Sequence, residues 1–276
     1  MKLGLLSAAV ALLAATTAYS ADVYQPEPAP MMDAPEVVVS EASGWYLRGD
    51  IGYSFNDMKG ANYFQGSNSN RVDFDSADLD DSFLLGAGVG YQVNNYLRTD
   101  VTFDYLTRAD FNGSTSGSCG VADDCTSSDK TSMTVYSLLA NAYVDLGTYG
   151  SVTPYVGAGI GGSYVKWKDL HNTSCDTADS TNCDPTYDHD GKGSWRLTYA
   201  LMAGASIDVT CNIKADVGYR FRHISGGDMF GYNLGGGPGE DKGFNMHEAR
   251  VGARYAFGGC DQPAPYEPPP ADIVYK

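Results

Sequence analysis

Trp195-Arg196-Leu197-Thr198-Tyr199-Ala200-Leu201-Met202-Ala203-Gly204-Ala205-Ser206-Ile207-Asp208-Val209 is the stretch that decides the fold. Its odd-numbered positions are apolar from Trp195 to Val209, while Arg196, Thr198, Gly204 and Asp208 stand between them. A period of two is that of a β-strand whose two faces meet different surroundings.

Seven other stretches repeat the pattern. Trp45, Leu47, Ile51, Tyr53 and Phe55 alternate with Tyr46, Arg48, Asp50, Gly52 and Ser54. Phe83, Leu85, Ala87, Val89, Tyr91 and Val93 alternate with a glycine row at Gly86, Gly88 and Gly90. Leu97, Val101, Phe103 and Tyr105 oppose Arg98, Asp100, Thr102 and Asp104. Tyr136, Leu138, Ala140, Ala142, Val144 and Leu146 oppose Ser137, Asn141 and Asp145. Val156, Ala158 and Ile160 alternate with Tyr155, Gly157, Gly159 and Gly161. Ile213, Ala215, Val217, Tyr219 and Phe221 alternate with Lys214, Asp216, Gly218, Arg220 and Arg222, and Ala249, Val251, Ala253, Tyr255 and Phe257 with Glu248, Arg250, Gly252 and Arg254. No stretch carries a convincing helical period.

Alternation alone also suits a soluble β-sandwich. The connections decide against one. Asn94-Asn95, Gly147 to Ser151 and Thr210 to Asn212 are short, whereas Asn56 to Ser82, Leu106 to Ser132, Lys166 to Ser194 and Ile224 to Gly243 are long. Long structureless loops are rare in compact soluble domains. Strict short-long alternation belongs to outer-membrane barrels, with short periplasmic turns and long extracellular loops. The second face also holds charges of both signs: Arg48, Asp50, Arg98, Asp100, Asp104, Asp145, Arg196, Asp208, Lys214, Asp216, Arg220, Arg222, Glu248, Arg250 and Arg254. A sandwich core cannot hold them, but a polar barrel interior can. Eight strands, an even number, close without leaving a backbone edge in lipid. The expected fold is therefore all-β: an eight-stranded, antiparallel, up-and-down transmembrane barrel.

Composition agrees. Charged residues make up 19% of the 276 residues, against the roughly 25% usual for soluble domains, and glycine (33) and tyrosine (20) are abundant. Thirty-four acids against 18 Lys+Arg give a net charge of −16, which would repel phosphates and excludes a nucleic-acid partner. One apolar stretch exceeds a few residues, so a helical membrane protein is excluded too. That stretch, Leu3 to Ala18 behind Lys2, ends in Ala18-Tyr19-Ser20, the small-x-small pattern of signal cleavage, placing the cut between Ser20 and Ala21.

Residues 1–20 thus read as a signal peptide, 21–43 as a proline-rich periplasmic spacer, 44–257 as the barrel and 258–276 as a second proline-rich periplasmic tail. The tails hold nine of the twelve prolines and favour extended polyproline II. Both termini are expected in the periplasm of a bacterial outer membrane. Six cysteines in an exported chain point to disulfides, Cys119 with Cys125, Cys175 with Cys183 and Cys211 with Cys260, each pair on one side of the membrane. None has the CxxC spacing of a zinc site.

The terminal Ala249-Arg-Val-Gly-Ala-Arg-Tyr-Ala-Phe257 resembles the signal read by the outer-membrane assembly machinery, with Tyr255 and Phe257 as its aromatic positions. Gly44-Trp-Tyr-Leu-Arg-Gly-Asp-Ile-Gly-Tyr53, Gly86-Ala-Gly-Val-Gly-Tyr91 and Val156-Gly-Ala-Gly-Ile-Gly161 resemble the small eight-stranded outer-membrane barrels of alphaproteobacteria, the Rhizobiales-type major proteins of the porin family. The tail after Phe257 departs from that pattern. The resemblance also implies that a mature Ala21-Asp22 start is a site of attachment to peptidoglycan by L,D-transpeptidases. The spacer, at about 3.1 Å per residue, would bridge part of the gap to the wall.

The first functional reading is structural: a plugged barrel that maintains envelope integrity, with outer-membrane lipid, the assembly machinery and peptidoglycan as partners and no cofactor. An eight-stranded barrel is just wide enough for side chains to fill. The alternative is a small porin, favoured by the inward glycine rows, and a further one is a surface adhesin. An enzyme is disfavoured, because His247 and Glu248 are adjacent on a strand and point to opposite faces. Asp73, Asp75, Asp78, Asp80 and Asp81 have the residue type for calcium but lack a helix-loop spacing. Trp167, Tyr187, Phe230 and Tyr232 fit either adhesion or the membrane interface.

Overall fold

The computed structural model describes residues 44–66, 70–234 and 236–258, all of them in strands, turns and connecting segments. In chain order the strands are β1 (Gly44–Met58), β2 (Ala61–Gln65), β3 (Arg71–Asp73), β4 (Ser76–Leu79), β5 (Ser82–Gln92), β6 (Leu97–Ser114) and β7 (Ser116–Gly117). They continue with β8 (Cys125–Asp145), β9 (Val152–Trp167), β10 (Leu170–Asp176), β11 (Tyr187–His189), β12 (Gly193–Asp208), β13 (Ile213–Phe230) and β14 (Gly236–Ala256). Ser20, Ala21, Asp22 and Cys260 lie outside the described residues.

Eight of these strands pair antiparallel in a closed circuit: β1 with β5, then β6, β8, β9, β12, β13 and β14, which pairs back to β1. Closure leaves no free backbone edge around the ring. Three short turns join strands at one end. In the turn after β8, Gly147 and Gly150 take φ values of 102° and 67°, a region open to glycine and strained for residues with a Cβ. In the turn after β5, Asn94 Oδ1 accepts from the backbone N–H of Leu97 at 2.8 Å.

The alternation assigns the faces. Trp45, Leu47, Ile51, Leu85, Val101, Leu138, Ile160, Trp195, Leu197, Leu201, Val217 and Val251 all point outward and are exposed. Their neighbours along each strand turn inward, where Asp104, Thr102, Ser137, Ser163, Thr198, Arg222 and Glu248 are fully buried. A contiguous apolar belt of this size is untenable in water, since burying each Leu or Val side chain stabilises by about 1.5–3 kcal/mol.

The opposite end differs from the sequence expectation. The segments expected to be long loops are largely paired strand. β6 and β8 stay paired, across a register shift between Leu106 and Ala109, to Gly113 and Asp129, and β13 and β14 pair as far as Phe230 and Gly239. β2, β4, β7 and β10 add themselves to β14, β6, β8 and β8. The ladders run on because this end has its own buried apolar residues to cover. Above the ring stands a β-structured head.

Cys119–Cys125 and Cys175–Cys183 form disulfides in that head, with Cα separations of 5.9 and 4.0 Å. At the other end of the body, Phe257 donates its backbone N–H to Trp45 O at 3.0 Å, and the Tyr255 and Phe257 rings meet at 5.3 Å, both exposed.

Candidate functional site

The ring's interior is the candidate site, and it is filled in two tiers. Nearest the short turns is a tier of charge. Tyr46, Arg48 and Asp50 come from β1, Arg98, Asp100 and Asp104 from β6, Asn141 and Asp145 from β8, and the remaining charges from β13 and β14. Arg98 Nε donates to Asp145 Oδ1 at 3.1 Å, and its guanidinium carbon lies 4.5 Å from the ring centroids of both Tyr143 and Tyr155. Arg254 Nε donates to Asp216 Oδ2 at 2.6 Å, while Ser206 Oγ donates to Oδ1 of the same carboxylate at 2.6 Å.

One layer higher, Arg48 reaches Asp50 at 2.7 Å and Asp100 at 2.9 Å. Asp100 also accepts from Tyr46 Oη at 3.1 Å and from Asn141 Nδ2 at 2.7 Å. Above that, Asp104 is gripped by three arginines, Arg220 at 2.7 Å, Arg222 at 2.7 Å and Arg250 at 2.9 Å. Glu248 supplies the second carboxylate, in ionic contact with Arg222 at 2.8 Å and Arg250 at 3.2 Å.

Six arginines (Arg48, Arg98, Arg220, Arg222, Arg250, Arg254) thus face six carboxylates (Asp50, Asp100, Asp104, Asp145, Asp216, Glu248), so this buried layer is electrically neutral. Neutrality makes the burial tolerable, because a desolvated charge left unpaired costs several kcal/mol. The chain's surplus of acids therefore lies elsewhere. A void of about 20 Å³ beside Arg220 and Arg250 has room for one water.

The glycine rows do not leave a channel. A Cβ on Gly86 would stand 2.6 Å from Asp104 Oδ1 and 2.8 Å from Arg250 Nη2, and one on Gly157 would stand 2.6 Å from the Tyr143 ring. Glycine on β5 and β9 makes way for large side chains from neighbouring strands.

The second tier is apolar and was not expected. Leu84, Leu106, Phe111, Met133, Val135, Val165, Trp167, Ile224, Phe230, Phe244 and Met246 close over the charged layer as one buried cluster. Trp167 and Phe230 are therefore core residues, each 2% exposed, and not interface or adhesive side chains. One ion pair is embedded here: Arg196 Nη1 lies 2.6 Å from the Asp241 carboxylate, which also accepts from Trp167 Nε1 at 3.1 Å.

Other expectations are corrected by position. Asp208 and Lys214 pair with each other at 2.7 Å in a half-exposed mouth beside the short turns, outside the closed layers. The acidic run is dispersed, with Asp73 on Lys242 at 2.8 Å, Asp75 on Ser116 at 2.7 Å and Asp81 on the Asn56 backbone at 3.1 Å. Among the described residues no three His, Cys, Asp or Glu side chains gather as a metal site. His247 is exposed on the outer face, 2.6 Å from Tyr219 Oη, while Glu248 is buried inside.

This geometry has counterparts among known proteins. An uncharacterized protein of Brucella abortus is 38% identical over 92% of this chain and 95% of its own length. A candidate adhesin of Rickettsia conorii is 26% identical over 64% of this chain and 67% of its own. The crystal structure of outer membrane protein OprG from Pseudomonas aeruginosa superposes with a TM-score of 0.50 at 14% identity, covering 79% of this chain and 98% of that one, and so shares the fold. Residues 7–257 match the family described as outer membrane protein beta-barrel domain, and with its closed antiparallel ring and apolar belt the chain belongs to that family.

Proposed function

We propose that this protein is a closed, non-conducting barrel that braces the bacterial outer membrane and holds a β-structured head above it. In this reading the eight-strand ring spans the bilayer, the short turns and both termini face the periplasm, and the head of long connections is extracellular. The observation that carries it is the double closure of the lumen: a neutral, cross-linked layer of arginines and carboxylates beneath a contiguous apolar layer. An ion would have to break several buried pairs and then cross a hydrocarbon-like plug. The proline-rich spacer, joined to peptidoglycan through Ala21, would complete the brace.

Single-channel recording of the purified protein in planar bilayers tests the closure. Silence at moderate voltages is expected, and steady ohmic steps would replace this reading with the porin. A second reading, surface adhesion, is favoured by the paired strands of the head and by the names of the rickettsial relatives. Attachment of cells carrying or lacking the protein to a host-cell layer separates the two.

A further inference from the structure

The head contains a cup that neither the brace nor the closed lumen uses. Its volume is about 510 Å³, within the roughly 300–1,000 Å³ of small-molecule sites. Phe74, Leu170 and Phe230 belong both to its floor and to the apolar tier below, so the floor is fixed by the core. Exposed Ser118 and Leu234 stand at its rim.

Two kinds of side chain line it. The aromatic kind comprises Tyr63, Phe74, Tyr187 and Phe230, with Tyr63 edge-on to Phe74 at 5.5 Å and Phe74 edge-on to Phe230 at 6.4 Å. The polar kind is centred on Asp129, which is buried and accepts from Asn172 Nδ2 at 2.6 Å and from Ser127 Oγ. Ser127 Oγ in turn takes the backbone N–H of Thr115 at 2.9 Å, so the carboxylate is held by a supported network. Asn172 commits one N–H to Asp129, which leaves its amide oxygen for a ligand hydroxyl. His189 Nδ1 donates to Gly231 O at 3.2 Å, which holds the imidazole ring in place at the cup wall.

We propose that this cup binds a neutral saccharide unit, with one face of the sugar ring on the Tyr63 and Tyr187 aromatics and its hydroxyls on Asp129, Asn172 and His189. A sugar presents apolar C–H faces and a rim of hydroxyls, each both donor and acceptor. That matches aromatic faces set beside planar, pre-held carboxylate, amide and imidazole groups. Charge narrows the class. The cup is lined by Asp129 and Asp184 and, among the described residues, by no Lys or Arg, so it rejects sulfated, sialylated and phosphorylated sugars. A metal ion fits poorly, because Asp129 already accepts two hydrogen bonds and Asp184 Oδ2 takes the Gly120 N–H at 2.8 Å. The proposal is independent of the lumen's closure and uses the brace reading only to place the cup outside the cell.

The test uses the full chain in phosphocholine micelles, since maltoside detergents would themselves offer sugars. Cellobiose, lactose and N,N′-diacetylchitobiose are titrated by saturation-transfer NMR and calorimetry, with a heparin disaccharide and calcium chloride as controls. At least one neutral disaccharide is expected to bind with a Kd of about 1 mM or tighter. Tyr187→Ala and Asn172→Ala, both away from the ring, should each weaken it about tenfold while the thermal unfolding of the barrel stays unchanged. Retention on beads bearing the same disaccharide supports a surface glycan as the source, and binding of the free sugar alone supports a solute; both uphold the site. Binding of only heparin disaccharide or calcium, no binding of the three sugars, or equal binding by wild type and both variants overturns it.

Discussion

Asp104 and Arg222 stand 118 residues apart in sequence and 2.7 Å apart in the lumen. They lie on β6 and β13, four strands from each other in either direction around the ring, so their pair crosses its full width. Arg220 makes the same crossing from the same strand at 2.7 Å. Two opposed walls are thus tied directly, which is why the ring holds no pore at this height.

Asp104 is consequently the most costly carboxylate to remove. Asp104→Ala leaves Arg220, Arg222 and Arg250 sharing only Glu248 and Asp50. Breaking a buried pair from one side destabilises by about 3–5 kcal/mol. Urea unfolding in micelles should show a loss of that order, and Asp104→Asn combined with Arg222→Met should recover a substantial part of it. A loss below about 1 kcal/mol would mean that water, not Asp104, neutralises these arginines.

The apolar tier yields a different signature. Trp167 packs edge-on to Phe111 at 5.8 Å and donates to Asp241 at 3.1 Å. Trp167→Ala opens a cavity and should cost about 3–5 kcal/mol. Trp167→Phe keeps most of the ring and removes the N–H, for about 1–3 kcal/mol. Equal losses from the two substitutions would show that the hydrogen bond, and not the packing, holds this layer.

The head should also respond to pH through Asp129, which lies beyond the apolar belt. Burial pushes its carboxyl above the ordinary range, against the opposing pull of its Ser127 and Asn172 hydrogen bonds and of His189. A folded pKa raised above the unfolded one means that the folded head binds the proton more tightly. Its stabilising contribution is present in full below the unfolded carboxylate value, about 4, and is lost as pH rises through the folded value. Amide exchange at Ser127 to Lys130 should therefore quicken from the acid side upward through that interval, after correction for intrinsic exchange. Asp129→Asn should flatten the profile, and an unflattened one would place the titration on another group.

How much of this was legible in the sequence depends on what each residue had to meet. Arg222 beside Phe221 is assigned inward by parity alone, because strand alternation needs no partner to be known. That Arg222 meets Asp104 requires the ring's closure and stagger, which no local pattern carries. Leu84 was hidden between Phe83 and Leu85, where three apolar residues in a row mask the alternation. That run, with Val135 before Tyr136 and Val165 after Tyr164, was the available signal that the lumen turns apolar at this height. Asp208 and Lys214 had inward parity, yet they sit at strand ends, where the ring opens to solvent. Residue type alone offers Trp167 adhesion or the membrane interface, although its position on a paired strand above the belt puts it in the core.

The brace makes a chemical demand on the N-terminus. If the ring is fixed in the outer membrane and the spacer spans toward the wall, an amide must join the Ala21 amino group to a peptide stem of peptidoglycan. Mass spectrometry of detergent-washed, lysozyme-digested walls should find the N-terminal peptide of the mature chain carrying a muropeptide. Replacing Asp22 by Lys should reduce that adduct if the Ala-Asp start is what the transpeptidase reads, while leaving the barrel's unfolding unchanged, because residue 22 precedes β1 by twenty-two positions. Recovery of only the free N-terminus, with all the protein extracted by detergent, would confine the brace to the outer membrane and leave the head as its functional end.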